Sequence, residues 1–451
     1  MSVETPRDEP GGGAPGVGHP LEPPGAEAAA VEAGAFVRHS AVMSVGTALS
    51  RVTGFLRVAA MVFALGVTES RLADAYNIAN TTPNIVYELA LGGILSSVFV
   101  PVFVEWLQRR GRDEAWNTAR AVLTVGLVFL SAVMLLGILG SSLIIDLYTF
   151  RIPAGPERDA ARAFAAFALK WFMPQIVFYG IGAVATGLLN AHRKFAPPMF
   201  APILNNLVVT GVFFAFALLP GPATPTPGNI TDVQRYLLAI GTTFGVFAMS
   251  AALWPYVRGI GFRFRWRFDL RDTGLRRIAR LAGWTFLYVV VNQIGYLFII
   301  ILAGRVEGGI TAYQSAFIFF QLPHAIFAVS IMTALLPSLS SRWADRDPNA
   351  FRSLLSQGIR ATAFVVIPAA FGYLALSAPL VRLLLEHGVM QAPSTRLLSS
   401  VLIFFSLGLF SFSSFQLLLR AFYAMQDTRT PAVINVASVA LNTAVNFLFF
   451  R

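Results

Sequence analysis

Five polar residues recur along one stretch of otherwise apolar sequence: Asp74, Asn77, Thr81, Asn84 and Glu88. At 100° per residue they fall within an arc of about 80° on a helix and extend over about 21 Å of it. A charge at the centre of a bilayer costs about 2.5–3.5 kcal/mol on an insertion scale, so two carboxylates in one stripe demand water or a partner. The spacing predicts the wall of a water-filled cavity. Hydrogen bonding to neighbouring helices alone is the plainer alternative. Pro83 lies inside the stripe and removes one helix hydrogen bond, and Gly92 and Gly93 follow it. Pro83, Gly92 and Gly93 are therefore the candidate hinge, with close helix packing the other use for the glycines.

Two cations precede the stripe. Gly46, Ser50 and Gly54 recur every fourth residue, a small-residue face that lets another backbone approach. Arg57 continues that face, so it is expected between helices and within reach of Asp74 or Glu88, because an unpaired charge there is costly. Arg51 lies about 100° round from Ser50. Both arginines snorkelling to headgroups is the competing reading. A guanidinium fork suits a diphosphate through paired, charge-assisted hydrogen bonds. The candidate substrate-binding set is thus Arg51, Arg57, Asp74, Asn77, Asn84 and Glu88.

Catalytic chemistry is not legible. There is no cysteine, the five histidines form no metal-binding motif, and neither Lys170 nor Lys194 follows phosphate-loop glycines. No catalytic residue, cofactor or metal site is expected, and the chain reads as a non-enzyme. His324, after Pro323 on an apolar face, is read as an interhelical hydrogen-bonding residue ahead of a proton relay.

The elements that position these groups are membrane helices. The 451 residues are 56% hydrophobic and 13% charged, against about 45–50% and about 25% in soluble domains. Apolar blocks of spanning length cover roughly 40–66, 73–106, 118–149, 162–190, 199–219, 236–257, 281–303, 311–340, 353–377, 397–420 and 432–450. The fold class is an all-α polytopic membrane protein of about eleven transmembrane helices. The segment from Leu95 to Phe103 resembles that from Ile331 to Leu339, and the segment ending at Pro197 resembles that ending at Pro431, offsets of 236 and 234 residues. Two parallel helical-bundle repeats around a central cavity follow.

The expected organisation is a disordered cytoplasmic tail over 1–37, rich in Gly and Pro. An N-lobe of six transmembrane helices covers 38–257, a basic cytoplasmic linker 258–280, and a C-lobe of five helices 281–451. The second repeat stops after its fifth helix, so continuation beyond Arg451 is expected. One set of loops carries 17 basic residues and the alternate set 8, which places the N-terminus in the cytoplasm of a multi-pass plasma-membrane protein. The net charge of +11 is explained by this topology and not by nucleic acid. The linker is read as a topology anchor joining the lobes, with anionic lipid headgroups as its alternative partner.

The run Ser50-Arg51-Val-Thr-Gly54-Phe55-Leu-Arg57, then Ala73-Asp74-Ala75-Tyr76, Pro83-Asn84 and Phe99-Val-Pro101, resembles the opening of the MurJ/MviN lipid II flippases. Phe422-Tyr423-Ala424 with Gln426-Asp427, Thr430 and Pro431 is similar to that family's second-lobe turn. The stretch from Pro83 to Ser97 looks like the actinobacterial form. The resemblance implies the multidrug/oligosaccharidyl-lipid/polysaccharide exporter fold. It implies movement of the undecaprenyl-diphosphate-linked precursor to the outer leaflet by alternating access, with Arg51, Arg57 and Asp74 at matching positions. This chain has Tyr87-Glu88, Phe317-Ile318 and Val58 where many members carry further charges. The implied partners are the lipid-linked precursor and membrane lipids; a coupling cation or proton, held by Asp74 or Glu88, and cell-wall synthesis or division proteins are further candidates. A cation-coupled drug or polysaccharide exporter, or a non-transporting scaffold for cell-wall synthesis, are the alternative functions.

Overall fold

The computed structural model describes residues 26–89, 99–427 and 429–449, with side chains from Val45 onward apart from 280–285, 288 and 449. The chain divides into units 1–42 and 43–451, and the architecture below is that of the second. The first helix, α1 (Ala26–Leu65), starts inside the stretch read as a disordered tail. The reason is local: Ala26 to Ala35 is dominated by Ala and Glu, strong helix formers.

Nearly every apolar block becomes one helix or a broken pair. Block 73–106 gives α2 (Leu72–Tyr87) and α3 (Val100–Arg109). Block 118–149 gives α4 (Arg112–Leu139) and α5 (Ser141–Thr149), divided at Gly140. Block 162–190 gives α6 (Pro156–Phe172) and α7 (Gln175–Ala191), divided near Pro174, whose missing N–H cannot continue the ladder. Then come α8 (Ala196–Leu218), α9 (Asp232–Gly259) and α10 (Thr273–Ala303). A capping box at Thr231 starts α9: the Thr231 hydroxyl accepts from Gln234 N, and the Gln234 side chain accepts from Thr231 N. In the second half α11 (Gly309–Pro323) leads through a π-helical turn into α12 (Val329–Ala344), followed by α13 (Pro348–Leu385). The last helices are α14 (Ala392–Leu407), α15 (Leu409–Ala424) and α16 (Arg429–Phe449), with a bend of 48° between α14 and α15. The Asp427 carboxylate caps α16, and hydrogen bonds from Thr430 and Arg429 hold its pKa below the usual carboxylate range.

Among the described residues eight helices are long and apolar enough to cross a membrane, nine if the bent pair is one span. The expected eleven is not reached by that measure. The α2 helix has 16 residues, and the apolar segment of α10 counted among the described residues is Val289–Ala303.

The backbone repeats itself. Arg193 N donates to Asn190 O and Lys194 N to Leu189 O; Gln426 N donates to Tyr423 O and Asp427 N to Phe422 O. Arg193 and Gln426 both take left-handed φ, at 58° and 60°. Helical hydrogen bonding also widens to the π type at Glu88–Leu89 and again at His324–Ala328. Glu88 and His324 are 236 residues apart, the offset read from the sequence.

Burial shows how the two lobes meet. One apolar core joins Val62, Leu65 and Ile78 of the first lobe to Ile310, Leu385 and Leu398 of the second. Toward the opposite end the cores separate. Trp106, Trp116, Leu189, Val257 and Phe262 pack within the first lobe, and Leu339, Phe351, Ala421 and Ala424 within the second. The lobes are therefore fused at one end and parted at the other.

Close backbone approach at the fused end depends on glycine. Gly388 has φ +67°, and a Cβ there would clash with Phe63 O, which accepts from Val389 N at 2.9 Å. Gly388→Ala should destabilise the purified protein by at least the 1–2 kcal/mol of a left-handed non-glycine residue. Gly372→Ala, where a Cβ meets nothing within 4 Å, should be neutral or stabilising by about 0.5–1 kcal/mol. Thermal unfolding in detergent measures both, and equal melting points for the two variants would contradict this packing.

Candidate functional site

A cavity of about 500 Å³ opens between the parted lobes. The α1 helix contributes Arg57 and Met61, and α2 contributes Tyr76, Asn77, Asn80, Thr81, Asn84 and Glu88. Across from them stand Asn292, Gln293 and Tyr296 of α10 and Gln314, Ser315 and Phe317 of α11. The polar stripe of α2 thus runs along the cavity from Asn77 to Glu88, ~16 Å of helix.

The small-residue face of α1 places Arg57. A Cβ on Gly46 would lie 3.0 Å from Met199 Cβ, so α8 sits directly against α1. The Asn206 amide of α8 donates to Ser50 O and to the Thr53 hydroxyl, both at 3.2 Å. Two turns further, where Phe213 of α8 lines the cavity, Arg57 emerges half-buried into it. The expected ion pair is absent: among the described residues Arg57 has neither an ion pair nor a hydrogen bond. Glu88 also lines the cavity and is exposed, so both charges are stabilised by solvation in an open cavity.

Asp74 departs from the expected stripe. It is 1% exposed and is not part of the cavity wall. Its Oδ1 accepts from Thr311 N at 2.9 Å and from the Thr311 hydroxyl at 2.7 Å, at the amino end of α11. The physical reason is the helix terminus: its first N–H groups have no intrahelical acceptor and carry partial positive charge. Asn77 donates to the same Thr311 hydroxyl at 3.0 Å, so it serves both the junction and the cavity. Arg51 is likewise outside the cavity wall. It is exposed, and its guanidinium donates to Gln321 Oε1 across the lobes at 2.6 Å. Pro83 sits within α2, which continues to Tyr87, whereas Gly92 and Gly93 lie outside the described residues.

The site residues brought together are therefore Arg57, Asn77, Asn84 and Glu88, with Arg51 bridging the lobes and Asp74 sealing one end. Sequence reasoning missed the rest of the seal. Glu69 accepts from Val67 N, Gln391 N and the Ser394 hydroxyl, at 2.6, 2.7 and 2.7 Å. Thr68 and Ser394 share a hydroxyl contact of 2.8 Å, and Arg71 donates to Gly304 O at 3.2 Å. The available signal was Glu69 itself, a carboxylate in a short turn between two apolar blocks. Asn80 was missed within the stripe although it is three residues from Asn77; its Oδ1 and the Ser315 hydroxyl are buried without hydrogen-bond partners among the described residues.

Two helical lobes of repeated design, sealed at one end and parted around a polar cavity, define a cavity-type membrane transporter rather than an enzyme. A family model for the lipid II flippase MurJ matches residues 61–451. The chain belongs to the MurJ lipid II flippase family. It is similar to the lipid II flippase MurJ of Burkholderia cenocepacia, 28% identical over 410 residues, covering 89% of this chain and 76% of that one. The probable lipid II flippase MurJ of Rhizobium meliloti is 28% identical over 417 residues, covering 92% and 75%. In fold it is similar to a lipid II flippase MurJ in an inward closed conformation, with TM-score 0.75, 24% identity, and coverage of 90% and 81%. An inward-facing multidrug resistance MATE family transporter shares the fold at TM-score 0.62 and 14% identity, covering 91% and 97%.

Removing the Asp74 carboxylate leaves the Thr311 N–H buried and unpaired. Asp74→Ala should cost about 1–3 kcal/mol of stability. Combined with Thr311→Val its effect should be less than additive, because both remove the same hydroxyl contact. A double-mutant cycle on detergent unfolding measures this, and strict additivity would disprove the coupling.

Proposed function

We propose that the chain carries lipid II, the undecaprenyl-diphosphate-linked cell-wall precursor, from the cytoplasmic to the outer leaflet by alternating access. One observation carries the substrate assignment: a guanidinium with no ion pair among the described residues faces a cavity whose other polar groups are amides, hydroxyls and the Glu88 carboxylate. A diphosphate fits the first feature through a planar fork of donors. A sugar–peptide headgroup fits the second, because amide side chains both donate and accept. The prenyl tail needs no protein pocket, since the bilayer is its solvent.

The excess of loop arginines supports a reading with the sealed end on the outer side and the N-terminus in the cytoplasm. The parted end then faces the cytoplasm, where the precursor enters. Arg51, bonded to the neutral Gln321 amide, is a second guanidinium at the entrance. Exchanging that amide for a phosphate oxygen releases one cross-lobe contact on the cytoplasmic side and adds a charged one. Asp74, with Oδ2 buried and without a hydrogen-bond partner among the described residues, is the group through which a proton or cation would weaken the outer seal. The first event acts at the cytoplasmic end and the second at the outer seal, the two ends that alternating access opens in turn.

Arg57→Ala should lower precursor translocation about 10–100-fold, the equivalent of one charge-assisted contact of about 1.5–3 kcal/mol. Arg57→Lys should recover little, because an ammonium lacks the fork. Arg51→Ala should be milder, because Arg51 stands outside the cavity wall. Growth of a strain depleted of its own flippase, with membrane abundance of each variant measured alongside, tests the series. Normal translocation by abundant Arg57→Ala protein would overturn the diphosphate assignment.

A further inference from the structure

We propose that residues 262–271, between α9 and α10, form a membrane-surface anchor selective for anionic phospholipid headgroups. The segment reads Phe-Arg-Phe-Arg-Trp-Arg-Phe-Asp-Leu-Arg, aromatic and basic residues in alternation. Its backbone is neither helix nor turn from Phe262 to Asp269, so it is a strap rather than a helical linker.

The strap is fixed in place, and its first aromatics point inward. Phe262 is 1% exposed, with its ring 5.4 Å from Trp116 and 6.4 Å from Trp254. Arg120 Nε donates to Arg263 O at 3.0 Å, Arg267 N donates to the Thr124 hydroxyl at 3.1 Å, and the Thr118 hydroxyl donates to Asp272 at 3.2 Å. The chain therefore runs along α4 as far as Thr124 and returns to Thr118. One turn beyond Thr124, α4 exposes Val128 and Phe129, the apolar surface of a membrane span. The tip of the strap lies at the level where that surface begins.

At the tip the aromatics turn outward. Trp266 and Phe268 are 69% and 61% exposed, and Leu270 follows them. Large exposed aromatics at this depth match the interfacial preference of Trp, whose ring is at home at headgroup level. Around them Arg258, Arg263, Arg265 and Arg271 are exposed and have no ion pair among the described residues. Other arginines nearby are already occupied: Arg267 pairs with Asp269 at 3.2 Å and Arg277 with Glu105 at 3.0 Å. Four unpaired cations beside three outward apolar side chains at a bilayer surface complement anionic headgroups, with the aromatics seated among the acyl chains beneath. Topology alone asks for positive charge here but not for outward aromatics.

The absence of cysteine makes the test direct. Phe268→Cys, an exposed position, is labelled with an environment-sensitive fluorophore in the full chain. The protein is reconstituted in vesicles of phosphatidylcholine alone, or of phosphatidylcholine with phosphatidylglycerol. Phosphatidylglycerol should reduce quenching of the label by a water-soluble quencher at least about threefold, and high salt should reverse much of the protection. Replacing Arg258, Arg263, Arg265 and Arg271 by Gln should abolish the difference between the two vesicles. Phe129→Cys, on the lipid face of α4, should be protected in both. Equal aqueous access at position 268 in both vesicles would overturn the proposal and point to a protein partner for this patch. Protection insensitive to lipid charge and salt would overturn it as well.

Discussion

One carboxylate oxygen holds the two halves of the molecule in register. Asp74 Oδ1 accepts two hydrogen bonds from Thr311, at the amino end of α11. Asp74 belongs to the first lobe and Thr311 to the second, and the contact is buried. In such surroundings a charged acceptor facing the positive end of a helix gains strength from the absence of competing water. The apolar core shared between lobes, the Glu69 contacts and the close passage of Gly388 past Phe63 O all lie toward this same end. With one end fixed, the lobes part toward the other, and the cavity is the space between them.

The chemistry of that space follows from what does not pair within it. Asp74 is consumed by the seal, Glu88 stands in the open part of the cavity, and Arg57 has no counter-ion among the described residues. A permanent ion pair at Arg57 would have to be broken by every substrate, at a desolvation cost on both partners. A hydrated guanidinium needs only to exchange water for phosphate oxygens. Polar groups left over on the walls, such as Asn80 Oδ1 and the Ser315 hydroxyl, extend the recognition surface beyond the charge.

Periodicity made much of this legible. Small residues at Gly46, Ser50 and Gly54 announced a close helix neighbour, and α8 packs there through Met199 and Asn206. Asn77, Asn84 and Glu88 on one arc announced a wetted face, and all three line the cavity. The offset of 236 residues reappears in the paired π-type turns at Glu88 and His324. Asp74 was misplaced for a physical reason: an arc gives direction around a helix but not what stands opposite at each depth. At the depth of Asp74 stands the amino end of α11, and a carboxylate is drawn to it. The Thr68–Ser394 and Glu69–Gln391 contacts join positions more than 300 residues apart, beyond the reach of any local pattern.

Alternating access requires that the seal open during each cycle, and the seal offers its own lock. Thr68 Oγ1 and Ser394 Oγ are 2.8 Å apart, so the two side chains meet and are the pair to replace by cysteine. In this cysteine-free chain, Thr68→Cys with Ser394→Cys should form one cross-link on oxidation. Precursor translocation by the oxidised protein in vesicles is the most direct measurement. The expected result is arrest on oxidation and recovery on reduction, with each single variant active throughout. Undiminished translocation by the fully cross-linked protein would contradict a cycle that opens this end.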